Sequence, residues 1–175
     1  MKRISIEIRF TDVDSQDHVN HTAIVDWIAH GRVTLIDEKI NQYDNEFQND
    51  YVREEGPELD YVLVNLNVNF QKEVFYPGTI EVTGQVLDVG NKSVTTEFFV
   101  YNKDELVAGA QCINVFFNPS TKKSMEIPEK LKNILMNNKT GGKTFISGLT
   151  LSEVEHIKLK EEKKSPLYWE GLGGK

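Results

Sequence analysis

The chain has 175 residues, room for one ordinary domain, and its 39% hydrophobic and 27% charged content fits a globular protein with a real core. A formal net charge of −7 argues against a nucleic-acid binder, which carries a basic face. No apolar run reaches the roughly 20 residues of a membrane helix, MKRISIEIRF is not a secretory signal, and the lone Cys112 has no disulfide partner, so a cytoplasmic protein is expected.

Residues 4–10 alternate, with Ile4, Ile6, Ile8 and Phe10 on one face and Ser5, Glu7 and Arg9 on the other. That is the pattern of a half-buried strand. The polar stretch TDVDSQDHVNHT leads into residues 23–40, AIVDWIAHGRVTLIDEKI, whose apolar side chains cover most of a helix circumference. Such a helix is expected to be buried, with Thr22 or Asn20 able to cap its start. Residues 41–60 are polar and acidic and read as a connector ending at Gly56-Pro57. Four strands rich in β-branched and aromatic residues are expected at 61–72, 79–89, 93–101 and 105–118. The turns between them, Tyr76-Pro77-Gly78, Gly90-Asn91-Lys92 and Asn102-Lys103-Asp104, are short, which favours antiparallel neighbours in a meander. Pro128 starts a short terminal helix carrying Leu131, Ile134 and Leu135.

This order gives an α+β fold, an antiparallel sheet wrapped around one long buried helix, over residues 1–137. Residues 138–175, with NNKTGG, the charged run EHIKLKEEKK and a GLGGK end, are expected to be a partly flexible extension.

The densest group of reactive side chains is Asp12, Asp14, Asp17, His18 and His21, lying between the first strand and the helix. A helix start offers free backbone N–H groups and partial positive charge, which can polarise a thioester carbonyl. A carboxylate beside it can act as general base or nucleophile. The plainer reading is that Asp and Asn at this point are caps and turn formers. His18 and His21 straddle the helix start, and neither HExxH nor CxxC accompanies them, so no metal site and no cofactor is expected.

The stretch from Phe10 to His21, FTDVDSQDHVNH, resembles the signature of the 4-hydroxybenzoyl-CoA thioesterase-like branch of the hotdog superfamily. The Gly31-Arg32 pair, Val68-Asn69-Phe70, Tyr76-Pro77-Gly78, Gly90-Asn91-Lys92-Ser93 and Ile127-Pro128 extend the resemblance over about residues 4–136. It implies a hotdog fold and an acyl-CoA thioesterase. Asp14 falls on the catalytic carboxylate and His21 on an assisting histidine, whose backbone N–H would be the oxyanion donor. Asn20 and His18 fall on the substrate side. Lys92 and Ser93 are the candidates for the CoA phosphates, with Lys72 second. The resemblance also implies a homodimer or homotetramer. Three positions depart from the family pattern: Asp17 stands for a common glycine, His21 for a second asparagine, and Ile24 for an aromatic residue. The competing readings are an acyl-carrier-protein thioesterase and a non-catalytic acyl-CoA-binding hotdog protein.

Overall fold

The computed structural model describes residues 3–48 and 58–137, so the expected extension at 138–175 lies outside the described residues. The elements in chain order are β1 (Arg3–Glu7), a 3-10 turn (Phe10–Asp12), α1 (His21–Gln48), β2 (Asp60–Phe70), β3 (Thr79–Val89), β4 (Ser93–Asn102), β5 (Glu105–Asn118), β6 (Lys123–Ser124) and α2 (Glu129–Met136). The result is a hotdog fold, an antiparallel sheet with one long helix packed against it.

Each element follows from local chemistry, with two departures. In β1, Ile4 and Ile6 face inward and Ser5 and Glu7 outward, and Ile8 is buried. The alternation then stops short of Phe10, which is 77% exposed. The cause is Arg9, whose main chain and side chain both bind Asp12 and curl the chain into the 3-10 turn. The second departure is α1, which runs eight residues past the expected end at 40. Ala23, Ile24, Trp27, Ile28, Gly31, Ile36, Lys39 and Tyr43 are buried at helical spacing, so one continuous stripe faces the sheet. Tyr43, only 1% exposed, carries that stripe into the polar stretch NQYDNEFQ and makes it helical.

The strand order is β1-β3-β4-β5-β2, with β6 pairing β5. Strands β3, β4 and β5 form the expected meander. Strand β2 does not neighbour β3, as the meander expectation had it; it pairs with β5 on the far edge. The link at residues 71–78 is long enough to cross the end of the sheet, passing two intervening strands at roughly 5 Å each.

Two groups of buried side chains fill the space between helix and sheet. The first joins Ile24, Trp27 and Ile28 of α1 to Val82, Phe98 and Val100. The second joins Ile36 and Tyr43 to Val86, Val94 and Phe116, and is closed by Leu131 and Leu135 of α2. Between them the Arg32 guanidinium donates to Asn114 Oδ1 at 2.9 Å and lies over the Tyr61 ring, whose hydroxyl donates to Asp37 at 2.7 Å. Burial, then the Asp37 carboxylate, pushes the Tyr61 hydroxyl pKa well up. Burial also pushes the Cys112 thiol up to about 11, so this side chain is an inert core residue.

Close approach at the first group depends on two glycines. A Cβ at Gly84 would stand 2.3 Å from the Phe98 ring, and one at Gly31 would stand 2.7 Å from Val82. Phe98 is Gly84's cross-strand partner, and its ring occupies the space a side chain there would need. Gly84→Ala should therefore destabilise the fold by roughly 1–3 kcal/mol through overpacking. Adding Phe98→Leu should recover part of the loss, as read by denaturant titration of the single and double variants.

Candidate active site

The candidate site is assembled by the loop between β1 and α1. Val13 and Val19 form an antiparallel bridge, the Asp14 N–H donates to the His18 carbonyl at 2.8 Å, and the Asp17 N–H donates to the Asp14 carbonyl at 3.3 Å. This folds residues 13–19 into a narrow turned loop. Asp17 sits near its apex with φ of 61°, the left-handed region that glycine adopts without penalty. The aspartate standing where the resembling family carries glycine thus keeps the backbone that glycine would give.

Asn20 ends the loop and starts the helix. Its side-chain oxygen accepts from the Thr22 N–H at 2.9 Å and from the Thr22 hydroxyl at 2.8 Å. Of the two candidate caps, Asn20 is the one used. His21 is the first residue of α1, so its N–H is among those a helix leaves without an intrahelical acceptor. The Asp14 carboxylate accepts the Gln16 N–H through Oδ1 at 2.8 Å. Among the described residues its Oδ2 has no hydrogen-bond partner.

Asp14, His18 and His21 open on one cavity of about 330 Å³, together with Val19 and Ile24. The opposite wall is Phe70, Gln71, Lys72, Glu73 and Val74, from the end of β2 and the crossing link. The His18 ring stands edge-on to Phe75 at 4.9 Å with Nε2 3.7 Å from Glu73, and the His21 ring stands edge-on to Phe70 at 6.1 Å. Lys72 sits on this wall with Nζ paired to Glu105. Among the described residues no three His, Cys, Asp or Glu side chains gather into a metal site.

Of the expected site residues, Asp14, His18 and His21 line this one cavity, and Asn20 holds the helix start between them. Lys92 and Ser93 are elsewhere. Ser93 pairs with Val115 and Phe70 with Ala108, which puts the two ends roughly 23 Å apart along β5. Lys92 Nζ lies 3.5 Å from Ser124 Oγ at that far end. Among the described residues, Lys72 is the lysine that lines this cavity. Glu73, Gln71 and Phe70 were not anticipated, since only the strand crossing brings them here.

Comparison with known proteins adds a family. A model of the thioesterase-like superfamily matches residues 8–135. Similar solved structures include a thioesterase-superfamily protein from Jannaschia sp. CCS1, with 21% identity and a TM-score of 0.64 over 78% of this chain and 82% of that one. A predicted thioesterase from Bacillus stearothermophilus gives 19% and 0.64 over 80% and 97%. A thioesterase from Thermus thermophilus, solved with coenzyme A and zinc, gives 16% and 0.62 over 78% and 93%. At these identities the likeness establishes the fold. No curated protein matches the chain in sequence.

The loop geometry makes a prediction at Asp17. Asp17→Gly should leave thermal stability nearly unchanged, whereas Asp17→Val, with a β-branched side chain at positive φ, should cost roughly 1–2 kcal/mol. Equal melting temperatures for the two variants would contradict the strained backbone.

Proposed function

The chain belongs to the thioesterase-like superfamily, and from that premise we propose that it hydrolyses an acyl-CoA to the free acid and CoA, with Asp14 as general base or nucleophile. One observation carries the reading: an Asp14 oxygen without a partner among the described residues and the first residue of a helix open on the same cavity. Hydrolysis of a thioester needs an attacking oxygen and a donor for the oxyanion, and these groups supply both. The CoA ligand of the Thermus relative supports the substrate class.

In the proposed reaction the thioester carbonyl sits over the start of α1 and the His21 N–H donates to its oxygen. As base, Asp14 takes a proton from water while the water oxygen bonds to the carbonyl carbon. Collapse of the tetrahedral intermediate breaks the C–S bond, and the thiolate takes up a proton. As nucleophile, Asp14 bonds to the carbonyl carbon directly, CoA leaves, and water cleaves the resulting anhydride. The His21 imidazole positions the water or protonates the thiolate, and Asn20 and His18 hold the loop and the substrate side of the cavity. Cys112, with its raised pKa and full burial, offers no competing nucleophile. Lys72, on the cavity wall, would meet the CoA phosphates from the same chain, whereas Lys92 and Ser93 would serve from a second copy.

A second copy also fits the exposed surfaces. Strand β2 is an edge, and its Val62 and Val64, the latter 56% exposed, face outward. Unpaired edges with apolar side chains are sites of strand pairing, and the open cavity needs a further wall. The proposed assembly is a homodimer or a dimer of dimers, each site closed at the seam. The same cavity serves the alternative substrate, an acyl-carrier protein.

Two measurements test this. Thiol release across short, long, branched and aromatic acyl-CoAs should identify a substrate, and Asp14→Asn should lower kcat by roughly 10²–10⁴-fold without unfolding the protein. His21→Ala should slow turnover less, because its N–H remains. Near-wild-type turnover by Asp14→Asn would sink the assignment, and binding of acyl-CoA with no thiol release would favour the non-catalytic reading. Light scattering at micromolar concentration should report a dimer or larger; a monomer would contradict the shared site.

A further inference from the structure

We propose that Asp12 and Arg9 form a positioning clamp that holds the Asp14 loop in register with the start of α1. The inference rests on the thioesterase reading for its catalytic consequence, though not for the clamp itself.

Asp12 lies two residues before Asp14 and is only 4% exposed. A carboxylate is buried at high cost unless its oxygens are bonded. Here Oδ2 accepts the Arg9 backbone N–H at 2.8 Å, and Oδ1 accepts from the Arg9 guanidinium at 2.8 and 3.1 Å. Burial opposes the charged form most strongly, but these bonds and the Arg9 charge outweigh it and hold the carboxyl below its ordinary range. The main chain of the same residue then works in series with the side chain. The Asp12 N–H donates to the Arg9 carbonyl at 3.0 Å and fixes the turn, while the Asp12 carbonyl accepts the Asn20 N–H at 2.7 Å. Asn20 in turn caps α1. One buried residue therefore ties the strand-side turn to the helix cap, closing the base of the loop that carries Asp14.

The pair is not the cap, which Asn20 supplies. Nor does β1 depend on it, since that strand pairs with β3 over five residues and Ile8 donates to Gly78 beyond them. The Arg9 side chain is largely exposed, and such pairs contribute little to global stability. What its geometry controls is the position of the Asp14 carboxylate relative to the His21 N–H. Catalysis is sensitive to sub-ångström changes there.

The test uses the full chain with Arg9→Gln, Arg9→Lys and Asp12→Asn, beside wild type and Asp14→Asn. Arg9→Gln should lower kcat by roughly tenfold with KM and melting temperature little changed. Asp12→Asn should lower kcat further, and Arg9→Lys, which keeps the charge without the fork, should recover part of the loss. In parallel, hydrogen exchange should speed up at the Asp14 and Asn20 amides in Arg9→Gln and Asp12→Asn. Wild-type exchange at both amides in Arg9→Gln overturns the clamp, whatever the activity. So does faster exchange with unchanged kcat in a protein whose Asp14→Asn variant is inactive. If wild type and Asp14→Asn release thiol equally, the catalytic assignment of Asp14 falls, while the exchange rates still decide the clamp.

Discussion

The site depends on one crossing of the chain. After β2 the backbone leaves one edge of the sheet, passes the start of α1, and enters β3 beyond two intervening strands. Midway, the buried Val74 offers its carbonyl to the Val19 N–H at 2.8 Å. That bond, with the bridge between His18 and Phe75, sews the Asp14 loop to the crossing segment. Without it the loop would have one wall and no cavity.

Much of this was legible in the sequence because it is local. Strict alternation located β1, turn residues bounded β3, β4 and β5, and Pro128 marked the start of α2. Asp14, His18 and His21 fall within eight residues, so their convergence needed only a tight loop before a helix. What was not legible came from pairings that no periodic pattern records. The stretch NQYDNEFQ looked like a connector because its helical character lies in one buried tyrosine four residues from the next sheet-facing side chain, Lys39. The placement of β2 beside β5, and so of Phe70 to Val74 opposite Asp14, is set by which edge was free. Strand length likewise sets Lys92 at the other end of the sheet from the cavity of its own chain.

Two guanidinium groups serve different ends in the same fold. Arg32 reaches from α1 to Asn114 and Tyr61 and fixes how the helix lies across β5 and β2. Asp12 and Arg9 act over three residues and fix a loop. In both, a guanidinium donates to a planar acceptor inside a protein whose net charge is −7. The cavity lining mixes signs as well, with Asp14 and Glu73 in company with Lys72. An anionic substrate must therefore be met by oriented donors rather than by a broad positive field.

The stitching of the loop to distant segments also bears on how the protein folds. Residues 8, 18 and 19 find their partners at 78, 75 and 74, some 55 to 70 positions along the chain. Strand β1 pairs with β3, from Arg3 with Thr83 to Glu7 with Thr79, at still greater separation. Contacts of such sequence separation carry a large loop-closure cost and form after local ones. During synthesis, α1 and the local bonds of residues 9–20 can form as soon as they emerge, but the wall at Phe70 to Val74 is fixed only when β2 finds β5. The two walls of the cavity thus meet late, and a chain halted before β5 has the Asp14 loop without the facing wall that β2 brings.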